Sequence, residues 1–412
     1  MRFDFTRWGA AATLCGLIAC TSTNREETDP DPPCQADCGQ AGSGGTPQVG
    51  PTRVRMGHFN VRECSTDKIV DPNDQQLTAA ADIIARFAPD IVGLNELQYD
   101  IANLPMSGMP GAPMPSTPGA FDGGAENARR MADLVQANNA EVEFVDTLTT
   151  LGNSGFYWTG DTMGQNSFVL RGWGEWRGRH NTGVMSRYPI LKDQVRIITD
   201  FAWEDLPDNK IAEIEAATGI IVPSGFPLFE KSLNIVPIQV EDQVLYLVML
   251  HTVPPAFDPI NPYRNHDELH GLALFLDGQL PGIEPLPADA KFIVMGDLNA
   301  DPEDGDGSIA GAIQQVIEHP AVVGWFPSGA GFKGQNGQYN TYLSGCGYDD
   351  GTTVQDPADK WQMQLDYMLP STNIGTPLEG AVFWPDHMEN RPDFDLACHA
   401  SDHRFVYADI EL

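Results

Sequence analysis

The sequence predicts an α+β sandwich, sheets packed face to face with helices outside, and three observations carry that prediction. Short apolar runs of strand length recur along the chain, helical patterns are few, and two Gly/Pro-rich stretches, 101–125 and 151–180, read as elaborated loops. The runs are Val54–Phe59, Asp90–Leu94, Thr182–Ser186, Leu233–Val240, Val244–Leu250, Phe292–Met295, Gln364–Leu369 and His403–Ile410. Amphipathic spacing predicts helices at Gln76–Phe87, Asn127–Gln136, Asp267–Leu276 and Ile309–Glu318.

The N-terminus reads as an address rather than as structure. Arg2 and Arg7 precede an apolar run, Trp8–Ala19, in the pattern of a secretory signal. The run is too short to persist as a bilayer-spanning helix, which needs about 20 residues. It ends Leu17-Ile18-Ala19-Cys20, which resembles the bacterial lipobox, so residues 1–20 are expected to be a lipoprotein signal with lipid on Cys20. An ordinary cleaved signal with an incidental cysteine is the alternative. The expected location is the cell envelope. Residues 21–52, rich in Pro, Gly, Ser, Thr and acids, bury too little to offset ordering entropy and read as a disordered tether. From 53 to 412 the composition stays globular without a second linker or a repeat, which predicts one domain, expected to act as a monomer.

Cysteines fit an oxidising compartment. With Cys15 in the signal and Cys20 lipidated, Cys34, Cys38, Cys64, Cys346 and Cys398 remain. Cys34 and Cys38 could close a small loop, and two of the other three could staple the domain. A zinc site at CxxxC lacks a second ligand pair.

Charge limits the partners. The chain has 57 acidic and 24 basic residues, a formal net charge of −33, which disfavours avid non-specific binding to long nucleic acid or anionic membrane. Basic patches interleaved with aromatics are absent. A small phosphorylated substrate is easier to accommodate than a polymer.

The chemistry lies at the ends of the predicted strands. Runs end in Phe59-Asn60, in Gly93-Leu94-Asn95-Glu96, in His251-Thr252 and in Gly296-Asp297-Leu298-Asn299; Asp366 lies inside QLDYML, and Ser401-Asp402-His403-Arg404 opens the last strand. Singly, each suits a turn or cap. Together they are residue types that phosphate-ester cleavage requires: carboxylate and carboxamide oxygens for a hard divalent cation, a base for water, and donors for the charge that builds on phosphate oxygens.

Taken in order, Asn60, Glu96, His251, GDLN (296–299), Asp366 and SDH (401–403) resemble the endonuclease/exonuclease/phosphatase superfamily, over essentially 53–412. NTGVMSRYPI (181–190) resembles its central strand, and NPYRNHDELHG (261–271), LDYMLPS (365–371), VFWP (382–385) and SDHRFVYADIEL (401–412) resemble secreted bacterial members. The resemblance implies a four-layer α/β/β/α sandwich of two mostly antiparallel sheets flanked by helices. It also implies a metal-dependent phosphodiesterase or phosphatase using a divalent cation, Mg2+ first, with Mn2+ or Ca2+ as alternatives. It assigns Glu96 to the metal, with Asn60 orienting metal or phosphate, and has His251 donating to a phosphate oxygen. Asp297 orients or deprotonates water beside Asn299, and Asp366 supports the phosphate-binding residues. Asp402 sets the tautomer of His403 or joins the metal, and His403 is the other acid/base candidate. No second acidic ligand is evident between Glu96 and His251, and Arg179 and His180 either face the site or belong to a solvated loop.

Three further features have structural readings: Asp267 and Glu268 as helix N-terminal acids, the acidic run 301–307 as a solvated turn, and Phe156, Tyr157, Trp158, Trp173 and Trp176 as loop anchors; the resemblance implies in addition that Arg264 or Asn265 touches substrate. The competing functions are an extracellular nuclease and a catalytically silent, lipid-tethered binding protein on the same fold.

Overall fold

The computed structural model describes residues 51–100, 126–158, 168, 170–175, 177–303, 307–331, 339–347 and 353–412. The predicted signal, Cys20, Cys34, Cys38, Trp176 and nearly all of the tether lie outside the described residues, as does the loop 101–125. Pro51–Leu412 is one compact unit.

The chain opens with β1 (Arg53–Cys64), α1 (Thr66–Val70), α2 (Gln75–Phe87), β2 (Ile91–Leu97), α3 (Asn127–Asn138), β3 (Asp146–Thr149) and β4 (Asn181–Ser186). Next come β5 (Arg196–Ile198), α4 (Ile211–Thr218), β6 (Leu233–Val240), β7 (Gln243–Met249), α5 (Asn261–Leu276), β8 (Lys291–Asp297) and α6 (Gln314–Ile317). The last third holds β9 (Tyr342–Leu343), β10 (Gln362–Met363), β11 (Asp366–Pro370), β12 (Glu379–Val382), α7 (Arg391–Ala400) and β13 (Val406–Glu411). One sheet has the order β12-β13-β1-β2-β4-β3, the second β11-β8-β7-β6-β5, and β9 with β10 forms a ribbon. Among the described residues, the parallel pairs within the two large sheets are β1 with β2 and β7 with β8.

Three apolar layers separate four layers of backbone. Outward-facing Phe59, Val61, Val92 and Leu94 of the first sheet pack on α2 and α3 through Leu77, Ile84, Met131 and Val135. Val248, Val294 and Leu369 of the second sheet pack on α5 through Leu269, Leu272 and Phe275. Between the sheets, Val54, Met56 and Ile91 meet Leu247, Met249, Ile293, Met295 and Met368. The fold is therefore the α/β/β/α sandwich, two mixed, mostly antiparallel sheets flanked by helices. Each buried side chain of this size contributes roughly 1.5–3 kcal/mol, so a one-residue slip, which would swap every face, is strongly disfavoured.

All the expected apolar runs fall on strands, although β11 begins at Asp366 and β13 at Val406 rather than at Gln364 and His403. The elements that apolar spacing did not announce are short or polar, among them α1, α4, α7, β3, β5 and β12. Two helix expectations need correction. Helix α5 starts at Asn261, where Pro262 occupies its first turn, so Asp267 and Glu268 are buried in its interior and are not helix-terminal acids. The expected helix Ile309–Glu318 shrinks to Gln314–Ile317, because Gly311 has φ 86°, outside the right-handed helical region. Among the described residues, no helix is long and apolar enough to cross a membrane.

Cys346 and Cys398 form a disulfide across 52 residues of sequence, and Cys64 is free and buried, its thiol pushed up by desolvation. Chain entropy for a loop of that length predicts that Cys346→Ala/Cys398→Ala lowers unfolding free energy by about 4 kcal/mol. Denaturant titration under non-reducing conditions checks this; a loss under 1 kcal/mol would show that the bridge closes no otherwise open loop.

Candidate active site

The site is where the inter-sheet layer changes from apolar to polar. Strand residues two apart share a face. Along the inner face of β1, Val54 and Met56 give way to His58 and Asn60; along β8, Ile293 and Met295 give way to Asp297. On β7, Leu245, Leu247 and Met249 lead to His251, and on β11 Met368 is followed inward by Asp366. Strand alternation alone brings polar ends from both sheets to one edge of a buried layer.

Two irregularities adjust the aim. The β1–β2 ladder shifts register between Asn60 and Cys64, and the β2–β4 ladder between Asn95 and Leu97. At this bulge Arg62, Glu63 and Glu96 take positive φ of 38°, 50° and 61°. The bulge turns Glu96 so that Oε1 accepts from Asn60 Nδ2 at 3.2 Å and Oε2 from the Glu63 backbone N–H at 2.8 Å. Gly296 is required for a different reason. Its φ is 151°, and a Cβ there would sit 1.7 Å from the Leu250 carbonyl oxygen, so the turn into GDLN admits only glycine.

Asn60 joins the sheets. Its Nδ2 also donates to Asp297 Oδ2 at 3.0 Å, while its Oδ1 accepts from the Arg62 N–H. The other oxygen of Asp297 accepts from the Asn299 N–H at 3.0 Å, and the Asp297 N–H donates to Asn95 Oδ1 at 2.8 Å. The Oδ2 atom therefore faces the site, 3.5 Å from His251 Nε2 and 3.7 Å from His403 Nε2. Asn299 spends its amide on the Thr252 carbonyl at 3.1 Å, tying the turn after β8 to the turn after β7.

Asp366 is shared by two histidines. Its Oδ2 lies 2.7 Å from His403 Nδ1 and its Oδ1 3.1 Å from His58 Nε2. The carboxylate that sets the His403 tautomer is therefore Asp366. Asp402, expected to fill that role or to bind metal, instead points Oδ2 toward Arg62 Nη1 at 3.6 Å, with Ser401 Oγ 3.4 Å from Oδ1. Its place in the sequence next to His403 misled, because adjacent residues at a strand entrance diverge.

Burial and charge tune these groups. Desolvation opposes the His403 cation, yet Asp366, Asp297 and Asp402 together outweigh it and raise the imidazole to about 10. Desolvation likewise opposes an ionised Asp366, but His403 and His58 hold its carboxyl below the usual range. Burial raises Asp297 to about 7, and His403 restrains the rise. His251 is held well below its ordinary value by burial and by the Lys231 ammonium, so it is neutral. Glu96 stays ionised: burial works against it, but His180 foremost, with His403 behind it, pulls it well down.

Two residues were missed by sequence reasoning or left open. His58 lies two positions before Asn60 on the same strand face, a spacing that marks it as inward-pointing. His180 faces the site, with Nδ1 3.5 Å from Glu96 Oε2. The remaining candidates are structural. Arg264 donates to the carbonyls of Leu228, Pro227 and Arg171, and Asn265 Nδ2 to Thr252 Oγ1 and the carbonyls of Val253 and Leu298. Glu268 accepts the N–H groups of Val253 and Glu230. Asp301 anchors its loop by accepting from Glu303 and Gln364. Phe156 is fully buried and Trp158 stacks edge-on against Phe226, while Trp173 is exposed.

The profile of the Endonuclease/Exonuclease/phosphatase family matches residues 57–403, and the chain belongs to this family. No curated protein matches it. Solved structures with a similar fold include an endonuclease/exonuclease/phosphatase from Beutenbergia cavernae DSM 12333, at 19% identity over 87% of this chain and 72% of that one, TM-score 0.47. A family protein from Leptotrichia buccalis C-1013-b is similar at 15% identity over 87% of this chain and 100% of that one, TM-score 0.48. Beta toxin from Staphylococcus aureus is similar at 15% identity over 86% and 99%, TM-score 0.41.

Members of this family use divalent metals. The residues present fit one: Glu96, His251 and Asp297 each offer a ligand atom, all within 4.8 Å of one another. Two carboxylates and an imidazole suit a divalent cation. Asp402 stands outside this group.

The histidine–carboxylate cluster should be visible in stability. A group whose folded value lies above its unfolded one contributes fully below the unfolded pKa, about 6.5 for histidine, and loses that contribution as pH rises through the folded value. In EDTA, the melting midpoint should therefore fall between pH 7 and 10 as His403 gives up its proton. Asp366→Asn, which removes the partner on Nδ1, should flatten that fall. Parallel slopes in the two proteins would refute the assignment.

Proposed function

We propose that this protein is a lipid-tethered phosphoesterase of the cell envelope, anchored through Cys20 and acting as a monomer on small phosphorylated compounds. The observation that supports it best is the convergence, from six strand ends on two sheets, of Asn60, Glu96, His251, Asp297 and the Asp366–His403 pair on one buried edge. Family membership supports metal-dependent phosphoester hydrolysis, and the net charge of −33 favours small substrates over nucleic acid.

Glu96, with Asn60 beside it, would hold the divalent cation, Mg2+ in the first place. When bound, the cation supplies positive charge against phosphate oxygens and the leaving oxygen. The chain does the rest. Asp297 keeps Oδ2 turned into the site because Asn299 engages Oδ1, and it orients water and takes its proton. His403, protonated and held by Asp366, presents Nε2–H to a phosphate oxygen. His251, neutral and largely shielded from water, offers a second N–H to the same charge. Asn60 fixes the separation of Glu96 and Asp297 by donating to both.

The test is hydrolysis of bis-p-nitrophenyl phosphate and p-nitrophenyl phosphate in EDTA, Mg2+, Mn2+ or Ca2+. Metal-dependent turnover is expected, with kcat lowered about 10²–10⁴-fold by Asp297→Asn and by His403→Ala. Preference for DNA or RNA over small esters would replace this reading with the nuclease. Binding of a phosphorylated ligand without turnover of any ester or nucleic acid, whatever the metal, would leave a silent binding protein.

A further inference from the structure

We infer that His180 is a positioning residue, backed by Glu175, that holds Glu96 in its metal-binding orientation. The inference rests on the reading above that a divalent cation binds at Glu96, and it names what prepares that ligand.

Glu96 occupies a costly position. It sits at a bulge with φ 61°, a conformation that costs a non-glycine residue about 1–3 kcal/mol unless its surroundings dictate it. Its carboxylate is nearly enclosed, and each oxygen has a defined neighbour. Oε1 takes the Asn60 amide, and Oε2 takes the Glu63 N–H and faces His180 Nδ1 at 3.5 Å.

The far side of the imidazole is not idle. His180 Nε2 lies 3.8 Å from Glu175 Oε2, and the same Glu175 oxygen pairs with Arg179, whose other guanidinium nitrogen is 2.9 Å from Glu63 Oε2. Glu63 then returns to Glu96 through its backbone N–H. The interactions close a ring, Glu96–His180–Glu175–Arg179–Glu63–Glu96. It ties the β1 bulge, the β2 bulge and the approach to β4, three segments distant in sequence.

The backbone under the ring is fastened as well. The His180 N–H donates to Ser154 Oγ at 3.2 Å, and Ser154 Oγ donates to the Trp173 carbonyl at 2.6 Å. Gly178, at φ 76°, donates to the Ser154 carbonyl and accepts from the Tyr99 N–H. The imidazole is thus delivered by a segment pinned on both sides. A group that braces a ligand through its outer nitrogen and a second carboxylate has a recognised consequence: its loss weakens metal affinity or activity about 10–100-fold.

The role separates from substrate contact because it acts before substrate arrives. Direct Mn2+ binding, measured by the electron paramagnetic resonance signal of free Mn2+, is compared for wild type, His180→Ala, His180→Asn, Glu175→Gln and Glu96→Gln. His180→Ala is expected to raise the Mn2+ Kd about 10–100-fold, and His180→Asn, which restores a donor toward Glu96, to recover most of the loss. Glu175→Gln should weaken binding in the same direction by a smaller factor. At saturating Mn2+, kcat with bis-p-nitrophenyl phosphate should stay within about threefold of wild type, the mark of a lost ground-state interaction with the metal rather than of lost transition-state contact. Circular dichroism melting checks that each variant folds; if His180→Ala does not, His180→Asn and Glu175→Gln carry the comparison. An unchanged Kd in folded His180→Ala overturns the inference. So does a kcat loss above tenfold at saturating metal with Kd intact, which would place His180 against substrate. If wild type and Glu96→Gln bind Mn2+ alike, the metal reading at Glu96 itself fails, and that failure is distinct from the first two.

Discussion

The site depends first on one buried carboxylate held between two histidines. Asp366 belongs to the second sheet, while His58 lies on β1 of the first and His403 on the segment that leads into β13. All three are shielded from water, so their attraction is little screened, and an unpartnered charge at this depth would be strongly unfavourable. Sheets that meet through apolar side chains can slide by fractions of an ångström at little cost. Directional bonds from one carboxylate to two imidazoles cannot, and they lock the ends of the two sheets in the register that the chemistry needs.

Around this lock, backbone strain is concentrated where side chains must be re-aimed. Arg62, Glu63, Glu96 and Asn299 all have positive φ, and none is glycine. Each strained stretch is met by a compensating bond: Arg62 N–H to Asn60, Glu63 N–H to Glu96, Asn299 N–H to Asp297. The same amides that relieve the strain also orient the acidic groups, so conformational cost and preorganisation are aspects of one arrangement.

Much of this was legible in the sequence, and the gaps have physical causes. The apolar runs announced the strands because burial between layers demands branched and long side chains on alternating positions. Asn60, Glu96, His251, Asp297 and His403 were legible because strand ends converge at one edge. His58 was not noticed, since a histidine within a strand reads as a core residue until its partner, 308 positions away, is known. Asp402 was read as setting the tautomer of His403 or joining the metal; the first of these belongs to Asp366, because sequence neighbourhood is a poor guide where the chain turns. The Cys346–Cys398 bridge was one of several pairings that composition allowed, and only the approach of α7 to the loop after β9 selects it. The short elements β3, β5, β9, β10 and β12 carry too few residues for a period to register.

The first and last strands lie side by side, with Arg53 opposite Glu411 and the Thr52 N–H bonded to the Leu412 carbonyl. Strand β1 travels from there to Asn60, so both ends of the unit emerge roughly 20 Å from the catalytic edge, at the opposite pole of the sheet. Fastening the unit to a bead, an electrode or a fusion partner by either end, or by both at once, would put the attachment at the pole away from the catalytic edge. The two ends are also near enough to be spliced, so new ends placed in a loop away from the sheets would leave the strand ends that form the site intact.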